Sequence, residues 1–206
     1  VLFPVLYVAF RPAEFAMSVR LALASASPRR LELLRGIGLQ VAAFPVDMDE
    51  SVFDHLPVVR RTRELALAKV QAALPGIPED WRWVLGADTL IELPHWRGGK
   101  ALGKAADADE ARTMLQALSG RRHLVHSGLA LLDRSSGRHW QTQGSTRVHF
   151  ARLSDSEIES YLTCGEWQGV AGAYRIQERA ACFIRCIKGT YSGVMGLPIH
   201  EFYVMV

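Results

Sequence analysis

A chain of 206 residues with 49% hydrophobic and 22% charged side chains has enough apolar content for one sizeable core, or for two small lobes around a cleft. A net charge of +3 is too small to argue for a nucleic acid or a membrane surface as partner. Three cysteines, Cys164, Cys182 and Cys186, without CxxC spacing argue against a disulfide framework or a zinc site, and read as buried free thiols in a reducing, cytoplasmic compartment.

Residues 1–16 begin with the apolar run VLFPVLYVAF, which Pro4 and Arg11 confine to about half the length of a membrane helix. The run lacks the basic flank of a signal peptide. The expectation is an extension over 1–16 and a single domain over 17–206, starting at Met17. A strand at 20–25, built on the apolar run Leu21 to Ala24, leads into a helix at 28–37, with Ser27 as N-cap and Pro28 in the first helical position. A strand over 40–45 and the acidic segment VDMDES follow, then a helix over 58–73. WRWVLGADTLIEL reads as a strand interrupted at Gly86–Asp88, followed by the loop PHWRGGK. Asp107 or Asp109 opens a helix that ends at Gly120. HLVHSGLALLD and HWQTQGSTRVHFARL are two long strands joined by the turn RSSGR. Ser154 and Glu157 form a capping box for a helix through 163. ACFIRCI reads as a strand, KGTYSGVMGLP as a loop, and a last helix starts at Pro198. The pattern predicts an α/β fold with a mixed β-sheet and flanking helices, in one compact unit.

Arg29 and Arg30 occupy the first turn of a helix, where the macrodipole is already positive and acidic residues normally stand. Solvated arginines would tolerate that mismatch. The alternative gives it a use: free helix N–H groups, the hydroxyls of Ser25 and Ser27 and two guanidinium forks together make a site for phosphate. Asp88, at the end of the apolar run VLGA, is a turn cap, a general base, or a ligand of a divalent cation that activates water. VDMDES supplies further carboxylates that are either a solvated turn or a magnesium site. Lys69 and Lys104 taken singly are ordinary surface residues. Together these groups form the inventory for hydrolysing a phosphoanhydride. The histidines show no HxxxH or HExxH pattern, and no GxxxxGK[ST] or GxSxG motif is present, which argues against zinc hydrolases, P-loop NTPases and serine hydrolases of the nucleophile-elbow type.

From Val19 onward the chain resembles the Maf nucleotide pyrophosphatases. The resemblance is carried in collinear order by LASASPRRLELL, VDMDES, LALAKVQA, VLGADTLIEL, LGKAADADEARTMLQALSGRRHLVHSG and AGAYRIQERAACFIRCIKGTYSGVMGLP. It implies an elongated fold of two lobes around a central cleft, and hydrolysis of nucleoside triphosphates to the monophosphate and pyrophosphate with a divalent cation, Mg2+ or Mn2+. It further implies Asp88 as the proton acceptor, Ser27, Arg30, Lys69 and Lys104 around the triphosphate, Glu50 at the metal or water, and the homodimer common in the family. Arg29, Thr89 and Gln177 stand where the dTTP/UTP branch differs from the 7-methyl-GTP branch. Gln177 can answer the O4/N3–H edge of thymine or uracil. The rival readings are 7-methyl-GTP hydrolysis and a catalytically silent nucleotide-binding regulator of cell division. The chain departs from the family pattern at Val170-Ala171-Gly172, where Lys-Ala-Gly is common, and at Glu178, where glycine is common.

Overall fold

The computed structural model describes residues 20–94 and 101–206. The expected extension over 1–16 and most of the PHWRGGK loop lie outside the described residues. β1 (Arg20–Ala24), β2 (Gln40–Ala43), β3 (Trp83–Glu92), β4 (Arg122–Asp133), β5 (Arg138–Phe150) and β6 (Ile184–Lys188) form one sheet in the order β2-β1-β3-β4-β5-β6. β1 pairs in parallel with both β2 and β3, and the remaining neighbours are antiparallel, so the sheet is mixed as expected.

The alternation in β1 decides which helix lies on which face. Leu21 and Leu23 pack with Leu34 of α1 (Pro28–Gly36) and Phe202 of the last helix. Ala22 and Ala24 pack on the other face with Ala66, Val70 and Ala73 of α2 (Val58–Ala73). Small side chains on that face bring α2 close, and two glycines bring it closer. A Cβ at Gly86 of β3 would meet the Ala66 carbonyl oxygen at 2.1 Å, and one at Gly128 of β4 would meet the Thr62 carbonyl at 2.4 Å. A third apolar cluster covers the far ends of β3, β4 and β5. There α3 (Ala108–Leu118) and α4 (Asp155–Thr163) supply Leu115, Leu118, Ile158 and Tyr161. Asp107 caps α3 through the Glu110 N–H, and the Ser154–Glu157 capping box on α4 is present as expected.

Four local expectations change. β3 is not interrupted at Gly86–Asp88: those residues pair in full register with Ala130, Leu129 and Gly128, so the ladder runs through the polar residue. ACFIRCI is only half strand. Ala180 and Phe183, three apart, bury their side chains in a 3-10 turn over Arg179–Phe183, and β6 begins at Ile184. KGTYSGVMGLP contains a short helix, α5 (Tyr191–Met195), capped by the Thr190 hydroxyl and ended by Gly196 at φ 114°, ahead of α6 (Ile199–Met205). The cysteines are free, but Cys182 and Cys186 are exposed, because the 3-10 turn and the sheet-edge strand β6 turn them outward, and Cys164 at the end of α4 is half-buried.

Candidate active site

The order β2-β1-β3 makes β1 a switch point: the chain leaves its carboxyl end toward one face and returns to β3 from the other. Open α/β sheets bind ligands in the crevice outside such strand ends. β1 stops at Ala24, opposite Gly86, while β3 continues to Glu92. Asp88 therefore lies just past the edge that β1 vacates. It shares its face with Gly86, the position on which α2 rests.

That arrangement delivers Lys69 of α2 to Asp88. Its Nζ lies 2.5 Å from Asp88 Oδ1 and 2.8 Å from Glu50 Oε1. Asp88 is 5% exposed, and its second oxygen, Oδ2, is buried with no hydrogen-bond partner. Burial pushes the Glu50 carboxyl up, but the Lys69 hydrogen bond and the charges of Lys69, Lys104 and Arg61 together hold it below its ordinary range. One ammonium thus bridges two carboxylates and leaves a buried oxygen free.

Arg30 is fully committed to the protein on four of its N–H groups. Nε donates to the Gly196 carbonyl at 2.8 Å, Nη1 to Ser25 Oγ at 2.9 Å and to the Ala87 carbonyl at 2.8 Å, and Nη2 to Thr89 Oγ1 at 3.1 Å. A guanidinium has five such donors, so one remains. Thr89 Oγ1 lies in turn 2.8 Å from the Ser127 hydroxyl, which donates to the Gly193 carbonyl. Burial lowers the Arg30 pKa and Asp88 opposes the shift. Arg29, half-buried, is lowered first by burial and then by the nearby charge of Arg175. Among the described residues neither the Arg29 nor the Lys104 side chain has a hydrogen bond or ion pair. Ser27 occupies the N-cap position of α1, but its hydroxyl does not cap the helix; its N–H donates to Ser25 Oγ at 3.2 Å.

These groups line one cavity of about 400 Å3: Ser27, Arg29, Arg30, Glu50, Lys69, Asp88, Thr89, Lys104 and Gln177 all contribute to its wall. Gln177 Oε1 and Arg175 Nε are buried there without partners. Arg61, Arg175 and the α5 residues Val194 and Met195 also line the wall, and the sequence reading did not single them out. Arg61 stands in the charge run VVRRTREL, which looks like a solvated helix face; its signal is a position two turns ahead of Lys69. Arg175 is the arginine inside AGAYRIQ. Among the described residues no three His, Cys, Asp or Glu side chains are grouped to hold a metal, and no helix is long and apolar enough to cross a membrane.

A mixed sheet with a switch-point cavity, lined by four arginines, two lysines and two carboxylates, defines an α/β protein whose cavity wall carries an excess of positive charge. A family model described as Maf-like protein matches residues 20–206, and the chain belongs to the Maf family. It is 40% identical over 198 residues to a Rhizobium etli protein named dTTP/UTP pyrophosphatase, covering 93% of each chain. Proteins of the same name from Moorella thermoacetica and Rhodospirillum rubrum are 43% and 45% identical, over 87% and 91% of this chain and 90% and 87% of their own lengths.

Proposed function

We propose that this chain is a cytoplasmic nucleoside triphosphate pyrophosphatase that converts dTTP and UTP to the monophosphate and pyrophosphate, and so keeps unwanted or modified pyrimidine nucleotides out of nucleic acids. The observation that carries the reading is the orphaned Asp88 Oδ2, buried beside an ammonium and facing a cavity with two uncommitted cations. An unsatisfied buried carboxylate oxygen is costly to hold, and a water bound to it would satisfy it. Asp88 takes the proton from that water as its oxygen attacks the α-phosphorus in line, and pyrophosphate leaves. Arg29, Lys69 and Lys104 offset the charge spread over the phosphate oxygens. Arg30 adds its buried charge and fixes the backbone around Asp88 through the Ala87 carbonyl. The relatives' names support the dTTP/UTP branch, and by the family resemblance Gln177 and Thr89 stand at positions that select it.

A divalent cation fits the residues present. Glu50 and Asp88 are oxygen donors bridged by one lysine, and Mg2+ takes one or two carboxylates together with substrate phosphates rather than an all-protein cage. When bound, such an ion would polarise a phosphoryl oxygen and lower the pKa of its water.

The test is a nucleotide panel with products resolved. Wild-type protein is expected to release pyrophosphate from dTTP and UTP, and Asp88→Asn to lose roughly two to four orders of magnitude in turnover. Orthophosphate as the product would mean attack at the γ-phosphorus. Near-wild-type turnover in Asp88→Asn would overturn the assignment of the base.

A further inference from the structure

Arg61 sits in the first turn of α2 and lines the cavity with Glu50, Lys69 and Lys104. Its Nη2 lies 2.5 Å from Asp54 Oδ1, and Asp54 is much the more exposed partner, at 59% against 18%. Its Nε is buried and unpartnered. The arginine is therefore anchored from the solvent side by a carboxylate that water screens, while other donors of its fork remain uncommitted. Water screens the pair from the Asp54 side, and a polyanion inside the cavity competes for the guanidinium.

Position along α2 says which part of a ligand Arg61 would meet. Eight residues of helix separate it from Lys69, a rise of about 12 Å along the axis. Glu50 lies between them electrostatically: Lys69 bonds it, and the charge of Arg61 is among those that hold its carboxyl down. A linear triphosphate with its α-phosphorus at Asp88 and Lys69 would extend along this line toward the guanidinium.

We propose that Arg61 reads phosphate chain length: it exchanges Asp54 for the terminal phosphate of the substrate and holds the pyrophosphate that departs. The proposal rests on the pyrophosphatase reading above. It assigns Asp54 the role of a stand-in anion that keeps Arg61 extended when the cavity is empty.

Two variants test it with opposite signs. Arg61→Gln is expected to raise KM for dTTP and the inhibition constant of inorganic pyrophosphate together, each by roughly 10- to 100-fold, while kcat falls less than threefold. Asp54→Asn frees the guanidinium, and pyrophosphate is expected to inhibit it more tightly than wild type. Inhibition by orthophosphate, which spans only one site, should stay within twofold in both. A merely structural arginine would lower the melting temperature and leave the pyrophosphate constant alone. An unchanged pyrophosphate constant in Arg61→Gln, or weakened inhibition in Asp54→Asn, overturns the proposal while wild-type turnover stands. If wild type releases no pyrophosphate from any nucleotide, the functional reading fails and this inference falls with it.

Discussion

A buried amide oxygen with no donor opposite it lowers stability unless something arrives to fill the gap, and Gln177 Oε1 is in that position at the cavity wall. An imide N–H of thymine or uracil is a matching donor; cytosine offers an acceptor at the same place and would leave the oxygen unpaired. Gln177→Leu is therefore expected to lower kcat/KM for dTTP by about 10- to 100-fold while changing dCTP much less, shrinking the preference between them. Competition assays with both nucleotides read the ratio directly, and an unchanged ratio would remove Gln177 from base recognition. At this scale the sequence was informative where a motif is contiguous: SPRR and GADT place Arg29, Arg30, Asp88 and Thr89 at one cavity. It was silent on how Arg30 is used, because its acceptors are a serine five residues away, the distant Thr89 hydroxyl and backbone carbonyls at Ala87 and Gly196. Arg61 escaped for a similar reason. Only the packed helix shows that its side chain turns toward the cavity rather than toward water.

The helix that carries Lys69 owes its position to two residues that have no side chain. At Gly86 and Gly128 the backbone of α2 occupies the space a Cβ would need, and the obstructing atoms are carbonyl groups that cannot rotate away. Gly86→Ala must push α2 off the sheet. The expected cost is at least the 1–3 kcal/mol typical of overpacking, seen in a thermal melt, with turnover lost beyond what the fraction unfolded explains because Lys69 leaves Asp88. A variant with a wild-type melt and full activity would contradict this close approach. Gly86 also misleads a reading of local structure, whereas Gly128 sits in a strand that the pattern predicts. Glycine two residues before an aspartate in an apolar run looks like a break, yet Gly86 and Asp88 lie in an unbroken ladder. Capping signals hold at Asp107 and Ser154, which act through neighbours within four residues, while the Ser27 hydroxyl makes no cap bond. The helix α5 stayed hidden because Gly189 and Gly196 flank it and Gly193 lies within it, and its stability comes from Thr190 and from contacts with β4 and β5.

Across the whole molecule, one buried imidazole ties folding to pH. His123 is 1% exposed, stacks edge-on against Phe150 and Tyr174, and shares a 2.8 Å hydrogen bond with the Tyr174 hydroxyl, while its Nδ1 has no partner. Burial depresses its pKa from 6.5 to about 3. Between those values the unfolded chain carries a proton that the folded chain refuses. The contribution is thus fully present above about pH 6.5 and is lost as pH falls, by at most about 1.4 kcal/mol per pH unit. Urea unfolding between pH 7.5 and 5.5, above the range where carboxylates titrate, should show this slope, and His123→Phe should flatten it. An equal slope in the variant would exclude His123 as its source. The fold class and the mixed sheet were legible because the apolar periods of 2 and 3.6 residues are local properties of the chain. The cavity was legible only as an inventory of parts, since its walls meet through contacts between distant segments.

The guanidinium of Arg30 reaches the carbonyl of Gly196 across 166 residues of chain. A polypeptide still being synthesised can lay down β1 and β3 and yet lack the backbone groups that complete the buried arginine's surroundings. Catalysis then begins only with maturation: a nascent or truncated chain missing the segment near Gly196 would be idle toward the nucleotide pool, and competence would mark a finished molecule.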